Sequence, residues 1–94
     1  MGEIVSTGLY GADPEELHHF ARDLDLAHTV LLTIKQELNT RITSRLRWEG
    51  PDAFVFRHAW QSSYAPVIAQ TAAMLKATAQ LVTAQANEQH EASR

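Results

Sequence analysis

Five histidines and eleven acidic residues are the side chains of this 94-residue chain that could bind a metal or transfer protons. His18 and His19 are adjacent, so on a helix their side chains point about 100° apart. His28 lies more than two turns further on, and the sequence contains no His-Glu-x-x-His spacing. There is no Gly-rich phosphate loop either, and the helices predicted below leave hardly any cleft for paired carboxylates. We therefore expect no catalytic residue, no metal, no cofactor and no small-molecule substrate, and predict that the protein is not an enzyme.

Four arginines near the middle of the chain, Arg41, Arg45, Arg47 and Arg57, could form an anion-binding patch. The first three also lie at the end of a predicted helix, where positive charge is stabilised by the helix dipole. Glu37 precedes Arg41 by four residues, the spacing of a helical ion pair. We favour this structural interpretation. Since the chain carries a net charge of −3, nucleic acid is not an expected partner.

The absence of cysteine excludes disulfides, a thiolate nucleophile and cysteine-ligated metals. Residues 1–13 lack the basic start and the apolar run of a secretory signal peptide. The most apolar window, residues 65–84, is interrupted by Lys76 and by several Gln and Thr residues. We therefore expect neither classical Sec export nor a transmembrane segment.

The segment Asp13-Pro14-Glu15-Glu16 predicts a helix start, with an N-cap, a Pro at the first helical position and acidic residues in the first turn. Apolar residues then recur in steps of three and four. They are Leu17, Phe20, Leu24, Ala27, Leu31, Ile34 and Leu38. This stripe predicts one amphipathic helix over residues 14–48.

A second helix is predicted over residues 52–86, with a broad apolar face. Its members are Phe56, Trp60, Tyr64, Val67, Ile68, Met74, Leu75, Leu81 and Val82. Pro66 lies inside this helix, so we expect a kink or a break between Ser62 and Pro66. The resulting organisation is a flexible N-terminal arm (1–12), a helical domain (13–88) and a frayed tail (89–94).

Between the two helices stands Trp48-Glu49-Gly50-Pro51. We expect Gly50 to end the first helix in a left-handed conformation, and Pro51 to begin the second. So short a connection makes the helices antiparallel neighbours, and the predicted fold is an all-α helical hairpin. The turn itself does not require Trp48, whose indole needs both an apolar pocket and an acceptor for its N–H.

A chain of this length, with two predicted helices and Trp48-Glu49-Gly50 at the corner, resembles the Trp-x-Gly (WXG) family of early-secreted-antigen-like proteins. The resemblance covers residues 13–90. It implies helical hairpins that pair into antiparallel four-helix bundles, as homodimers or as heterodimers with a sister protein. It also implies an actinobacterial-type export route, type VII (ESX) secretion. Trp48 is then either a contact for the secretion machinery or a partner tail, or an anchor that closes the hairpin.

The sequence departs from that family at the export signal, a Tyr followed four residues later by an acidic residue after the second helix. Its only tyrosines are Tyr10 and Tyr64, and Ile68 stands four residues after Tyr64. The chain could therefore travel with a partner that carries the signal, use a signal on a longer parent protein, or remain in the cell.

Dimerisation is also predicted from the residues alone. From Gln61 to Asn87 the only charged residue is Lys76, whereas a solvated helix normally carries more charge. Two helices alone seldom bury enough apolar surface to offset chain entropy. The residues expected in the core or the dimer interface are Leu17, Phe20, Leu24, Leu31, Ile34, Leu38, Phe56, Trp60, Tyr64, Val67, Ile68, Met74, Leu75 and Leu81.

Two functions are consistent with these patterns. The first is a type VII secretion substrate or secretion partner, non-enzymatic, secreted by a non-Sec route and acting through protein contacts at the Trp48-Glu49-Gly50 corner. The second is a cytoplasmic helical interaction module, or the N-terminal domain of a longer polypeptide, that binds a partner helix through its apolar stripe.

Overall fold

The computed structural model describes residues 12–92, and within this range the chain is all-α. The first arm consists of helix α1 (Pro14–Thr40) and a first π turn (Arg41–Arg45). The second arm consists of helix α2 (Pro51–Ala59), a second π turn (Trp60–Tyr64) and helix α3 (Ala65–Ala92). The described residues contain no strand, and the predicted helical hairpin is confirmed. The other residues of the predicted N-terminal arm and tail, 1–11 and 93–94, lie outside the described part.

The first arm begins as the sequence predicts. The carboxylate Oδ1 of Asp13 accepts a hydrogen bond from the backbone N–H of Glu15 at 3.0 Å, and the Asp13 carbonyl accepts from Leu17 at 3.0 Å. This side chain therefore caps the helix, since it satisfies a backbone donor that has no partner within the helix. Pro14 occupies the first helical position, where its missing N–H costs nothing.

Both arms differ from their predicted ends. The first arm ends at Arg45, because the next residue, Leu46, is extended (φ −80°, ψ 126°). The second arm runs to Ala92 and not to about residue 86. Its last turns are rich in Ala, Gln and Glu, which favour helix, and contain neither Gly nor Pro. Ala86 is buried there, so packing continues beyond the last large apolar residue.

Each arm contains a π turn whose hydrogen bonds reach five residues back. Leu46 N–H donates to Arg41 C=O at 2.8 Å, and Ala65 N–H donates to Trp60 C=O. Within these turns Ser44 and Ser62 each donate to the carbonyl four residues earlier, a bond that threonines inside the α-helices also make.

The second π turn lies where a kink or a break was expected because of Pro66. A proline inside a helix removes a backbone donor and clashes with the carbonyl of the preceding turn. The arm is not broken there, since α3 continues from Ala65 through Pro66, and the π turn immediately before Pro66 rearranges the preceding backbone. Of the two predicted outcomes, a kink or a break, the break is therefore wrong.

The contacts of the chain fall into two units. In the unit formed by residues 27–74, His28 Nδ1 donates to the carbonyl of Ala72 at 2.8 Å, and Trp60 Nε1 donates to Asn39 Oδ1 at 2.9 Å. The residue further along the first arm bonds to the residue that comes earlier in the second arm, as antiparallel helices require. The two arms are therefore antiparallel within this unit.

The other unit combines the beginning of α1 with the last turns of α3, through residues 12–26 and 75–92. Lys76 Nζ donates to Asp25 Oδ1 at 2.7 Å between side chains that are both about half exposed. An ion pair so open to solvent contributes about 0–1 kcal/mol. Ala21, Ala79 and Ala86 are the buried residues of this unit, so small side chains form its packed centre.

Small side chains dominate the buried set of the described chain as a whole. The buried residues are Ala21, Ile42, Ala53, Trp60, Ala65, Ala72, Ala79 and Ala86. The large hydrophobic side chains that remain exposed are Phe20, Leu26, Val30, Leu32, Ile34, Leu38, Leu46, Trp48, Phe54, Val55, Tyr64, Val67, Met74 and Leu81. Even so, none of the helices between residues 12 and 92 combines the length and the hydropathy that crossing a membrane requires.

Candidate functional site

The corner that joins the arms spans residues 46–50 and carries the predicted motif. Gly50 has φ 108° and ψ 176° and is the N-cap of α2, and its carbonyl accepts from Phe54 N–H at 3.1 Å. This conformation is essentially open to glycine alone. The expectation that Gly50 ends the first helix is wrong, because that helix already ends at Arg45. The expectation that Pro51 begins the second helix is confirmed.

Trp48 lies at the exposed side of this corner, with 38% of its surface accessible. Its ring packs on Phe56, with centroids 5.8 Å apart and planes inclined by 44°. Phe56 in turn packs on Tyr64 at 6.4 Å and 45°. These tilted contacts are a favourable aromatic geometry. The three residues form an aromatic ladder with a supported but accessible indole at its end.

Trp60, and not Trp48, is the buried anchor of the corner. Only 4% of Trp60 is exposed, and it clusters with Ile42 and Ala65. Phe56 and Ile68, both partly buried, pack against this cluster. The bond from Trp60 Nε1 to Asn39 Oδ1 satisfies the indole N–H, which would otherwise be buried without an acceptor. The requirement for an apolar pocket and an acceptor, derived above for Trp48, is thus met at Trp60.

Arg57 holds the end of the first arm in place. Its Nε donates to the carbonyl of Ile42 at 2.9 Å, and its Nη2 donates to that of Leu46 at 3.4 Å. The last carbonyls of a helix have no partners within the helix, and a guanidinium is suited to bind two of them. The sequence pointed to this arginine as a neighbour of the corner, but its role as a cap across the corner was not predicted.

The other three arginines of the cluster, Arg41, Arg45 and Arg47, are exposed. Arg41 and Arg45 line an open depression together with Gln36, Glu37 and Thr40. Arg45 lies in the last turn of the first arm, where the helix dipole favours positive charge. Arg47 lies beyond that end, so the expectation that it too sits at the end of the first helix is wrong.

The histidines are dispersed among structural contacts. Arg22 Nη2 donates to His19 Nδ1 at 2.8 Å, while His28 joins the two arms through the Ala72 carbonyl. His18 lines a depression with Asp13, Pro14, Glu15, Asn87 and His90. Over residues 12–92, no group of three or more His, Asp or Glu residues has a geometry that could hold a metal ion.

The residues predicted for the core or the interface divide into three groups. Trp60 is buried. Those that are half-buried are Leu17, Leu24, Leu31, Phe56, Ile68 and Leu75. Those that are exposed are Phe20, Ile34, Leu38, Tyr64, Val67, Met74 and Leu81. Sequence reasoning missed the buried alanines and Asn39, although Ala65, Ala72, Ala79 and Ala86 recur every seven residues.

Comparison with known proteins adds no relative: no family model matches the chain, and no curated protein or solved structure matches it.

Proposed function

We propose that this chain is a non-enzymatic helical hairpin that works by pairing with a second helical chain, either another copy of itself or a sister protein. The observation that carries the proposal is the distribution of apolar side chains. Six of the eight residues buried within the range 12–92 are alanines, whereas residues as large as Phe20, Met74 and Leu81 are exposed. A hairpin that buries its small side chains and exposes its large ones has more apolar surface to offer a partner than to bury by itself.

The exposed residues follow the helical repeat along each arm. On α1, Phe20 and Ile34 are separated by two seven-residue repeats, and Leu38 lies one turn beyond Ile34. On α3, Val67 and Met74 are one repeat apart. Side chains at this spacing share one face of a helix and can interdigitate with a neighbouring helix. An apolar face of this kind favours a helical partner over a small ligand.

The resemblance to the Trp-x-Gly family supports a more specific proposal, export by a type VII route together with a partner. Trp48, Glu49 and Gly50 stand between the arms of a helical hairpin, and Trp48 presents an accessible indole there. The proposed secretion contact is this indole, supported by Phe56 and Tyr64. Because neither Tyr10 nor Tyr64 supplies the Tyr-x-x-x-acid signal, we propose that a partner or a longer parent protein carries it.

The same tyrosine positions favour one alternative, a helical interaction module that is not exported. Tyr64 belongs to the second π turn in the middle of an arm and is followed four residues later by Ile68. A helical residue in that place offers no extended tail for an export receptor. In this alternative the apolar faces bind a partner helix inside the cell, as a domain of this chain or of a longer polypeptide.

Export is tested in the source cell with an epitope-tagged chain, co-expressed with the neighbouring small helical proteins. We expect the chain in the culture filtrate when the type VII ATPase is intact, and in the cell pellet when that ATPase is inactivated. Trp48→Ala should reduce export, while Phe54→Ala, which alters an exposed aromatic residue near the same corner, serves as the matched control. A chain that stays in the pellet under every condition would leave only the interaction module.

A further inference from the structure

The second arm carries two apolar stripes that are offset by one residue. Val67, Met74 and Leu81 recur every seven residues and are exposed. Ile68, Leu75 and Val82 recur at the same interval and are half-buried. Because a seven-residue interval keeps side chains on one face of a helix, only one of these stripes can face the first arm.

At the start of the second arm, the buried positions are in register with the stripe that is exposed further along the arm. Ala53 and Trp60 are buried and lie seven residues apart. Continuing from Trp60 by seven reaches Val67, which is exposed, whereas the residue that packs against the Trp60 cluster is Ile68, eight residues on. The inward-facing position has therefore advanced by one residue between α2 and α3.

The second π turn lies where this advance occurs. It spans Trp60–Tyr64, and the N–H of Ala65 bonds to Trp60 C=O, five residues back and not four. A π turn within an α-helix accommodates one additional residue and shifts the residues that follow it around the helix. The extra residue thus accounts for the change from a seven-residue to an eight-residue interval after Trp60.

The advance determines which side chains enter the closely packed seam. With it, Ala65, Ala72, Ala79 and Ala86 are buried. Without it, their places would be taken by the residues immediately before them, Tyr64, Thr71, Thr78 and Gln85. These are larger and carry polar groups that are costly to bury without partners. The carbonyl of Ala72 also accepts from His28 Nδ1 at 2.8 Å, which joins this buried position to the first arm.

We propose that the second π turn is a register-setting device of the hairpin. By holding one extra residue, it turns the alanine stripe of α3 toward the first arm and leaves the stripe of Val67, Met74 and Leu81 on the outer face. The inference goes beyond the proposed pairing and does not depend on it, because it concerns contacts within one chain.

The proposal predicts that one residue can be removed from this turn without disturbing the seam. We would delete Ser63 in a Pro66→Ala background, so that the turn can close as an ordinary α-helix without a proline clash. The matched control deletes Ala77, inside α3, in the same background. Removal of Ala77 rotates the later inward positions, including Ala79 and Ala86, out of the seam.

Unfolding is followed by far-ultraviolet circular dichroism at one protein concentration, since pairing would make the midpoint concentration-dependent. Deleting Ser63 should leave the thermal midpoint of the Pro66→Ala chain within a few degrees. Deleting Ala77 should lower it by about 10 °C or more, because several contacts are lost together. Equal destabilisation by the two deletions would overturn the proposal.

The register between the two arms is measured by crosslinking pairs of introduced cysteines, because the chain itself contains no cysteine. A short thiol-reactive crosslinker should join the pair His28→Cys and Ala72→Cys within one chain, both before and after deletion of Ser63. The crosslinked product then has the mass of a monomer. The pair His28→Cys and Ala73→Cys should not, since Ala73 is exposed. Transfer of the crosslink from position 72 to position 73 after the deletion would overturn the proposal. Loss of the helical signal in separate deletions of Ser62 and Ser63 would overturn it as well.

Discussion

At the scale of single residues, the hairpin is held by contacts of two kinds, local ones that the sequence predicts and distant ones that it does not. Asp13 and Pro51 could be predicted as helix starts because capping and the missing proline donor act locally. The bonds of Trp60 to Asn39 and of Arg57 to the carbonyl of Ile42 join positions far apart in sequence. No local pattern reports such pairs. The sequence therefore left open whether Trp48 anchors the corner. In the structure the buried indole that does so is Trp60.

The bond between Trp60 and Asn39 gives a first prediction. Asn39→Ala removes the acceptor of a buried indole N–H and should lower the free energy of unfolding by about 1–3 kcal/mol. Asn39→Asp keeps an acceptor oxygen and is the control, expected to retain most of the stability. Denaturant unfolding followed by circular dichroism measures both. The control for the bond itself is the same substitution in a Trp60→Phe background. If Asn39→Ala lowered the free energy of unfolding there by as much as in the unchanged chain, the effect would not arise from this bond.

Gly50 gives a second prediction at the same scale. A Cβ added there would meet no atom within 4 Å, so the cost of a substitution comes from the backbone conformation, φ 108° and ψ 176°. Gly50→Ala should destabilise the chain by about 1–3 kcal/mol. Glu49→Ala, at the exposed neighbouring position, should have little effect in the same thermal unfolding measurement. Similar midpoints for the two variants would show that the corner relaxes to a conformation accessible to alanine.

At the scale of elements, the periodic stripes predicted two helices and a corner, because burial on one face repeats at the helical interval. Which side of a stripe faces inward could not be predicted in the same way. The alanines at positions 65, 72, 79 and 86 are buried, while the larger Val67 and Met74 are exposed. Hydrophobicity alone favours the larger side chains for the inward positions. It also cannot locate a π turn that shifts the register by one residue.

The outer face of α3 gives a third prediction, for pairing. Met74 is 63% exposed, so Met74→Glu should leave the isolated hairpin intact. If a partner covers this face, the variant places an uncompensated carboxylate in the interface and should weaken association by about tenfold or more. Gln80→Glu adds the same charge at another exposed position of α3 and is the matched control. Sedimentation equilibrium measures both, and equal dissociation constants would place Met74 outside the interface.

At the scale of the whole molecule, the fold class could be predicted from length, patterning and the corner, and the described chain is an all-α hairpin. The sequence also predicted more apolar surface than two helices can bury, and the exposure of residues such as Phe20, Ile34 and Leu81 is consistent with that expectation. The identity of the partner could not be predicted, because the stretch from Gln61 to Asn87 has Lys76 as its only charge and so carries no charge pattern that would select one helix over another.

The most direct test of the central proposal, pairing with a second helical chain, is the molar mass of the purified chain. Light scattering on a sizing column gives this mass, and far-ultraviolet circular dichroism on the same peak gives its helicity. We predict a helical species of about twice the 10.5 kDa chain mass, or a poorly helical chain that gains helix when its sister protein is added. A helical species at the mass of one chain, unfolding cooperatively and independently of concentration, would contradict the proposal.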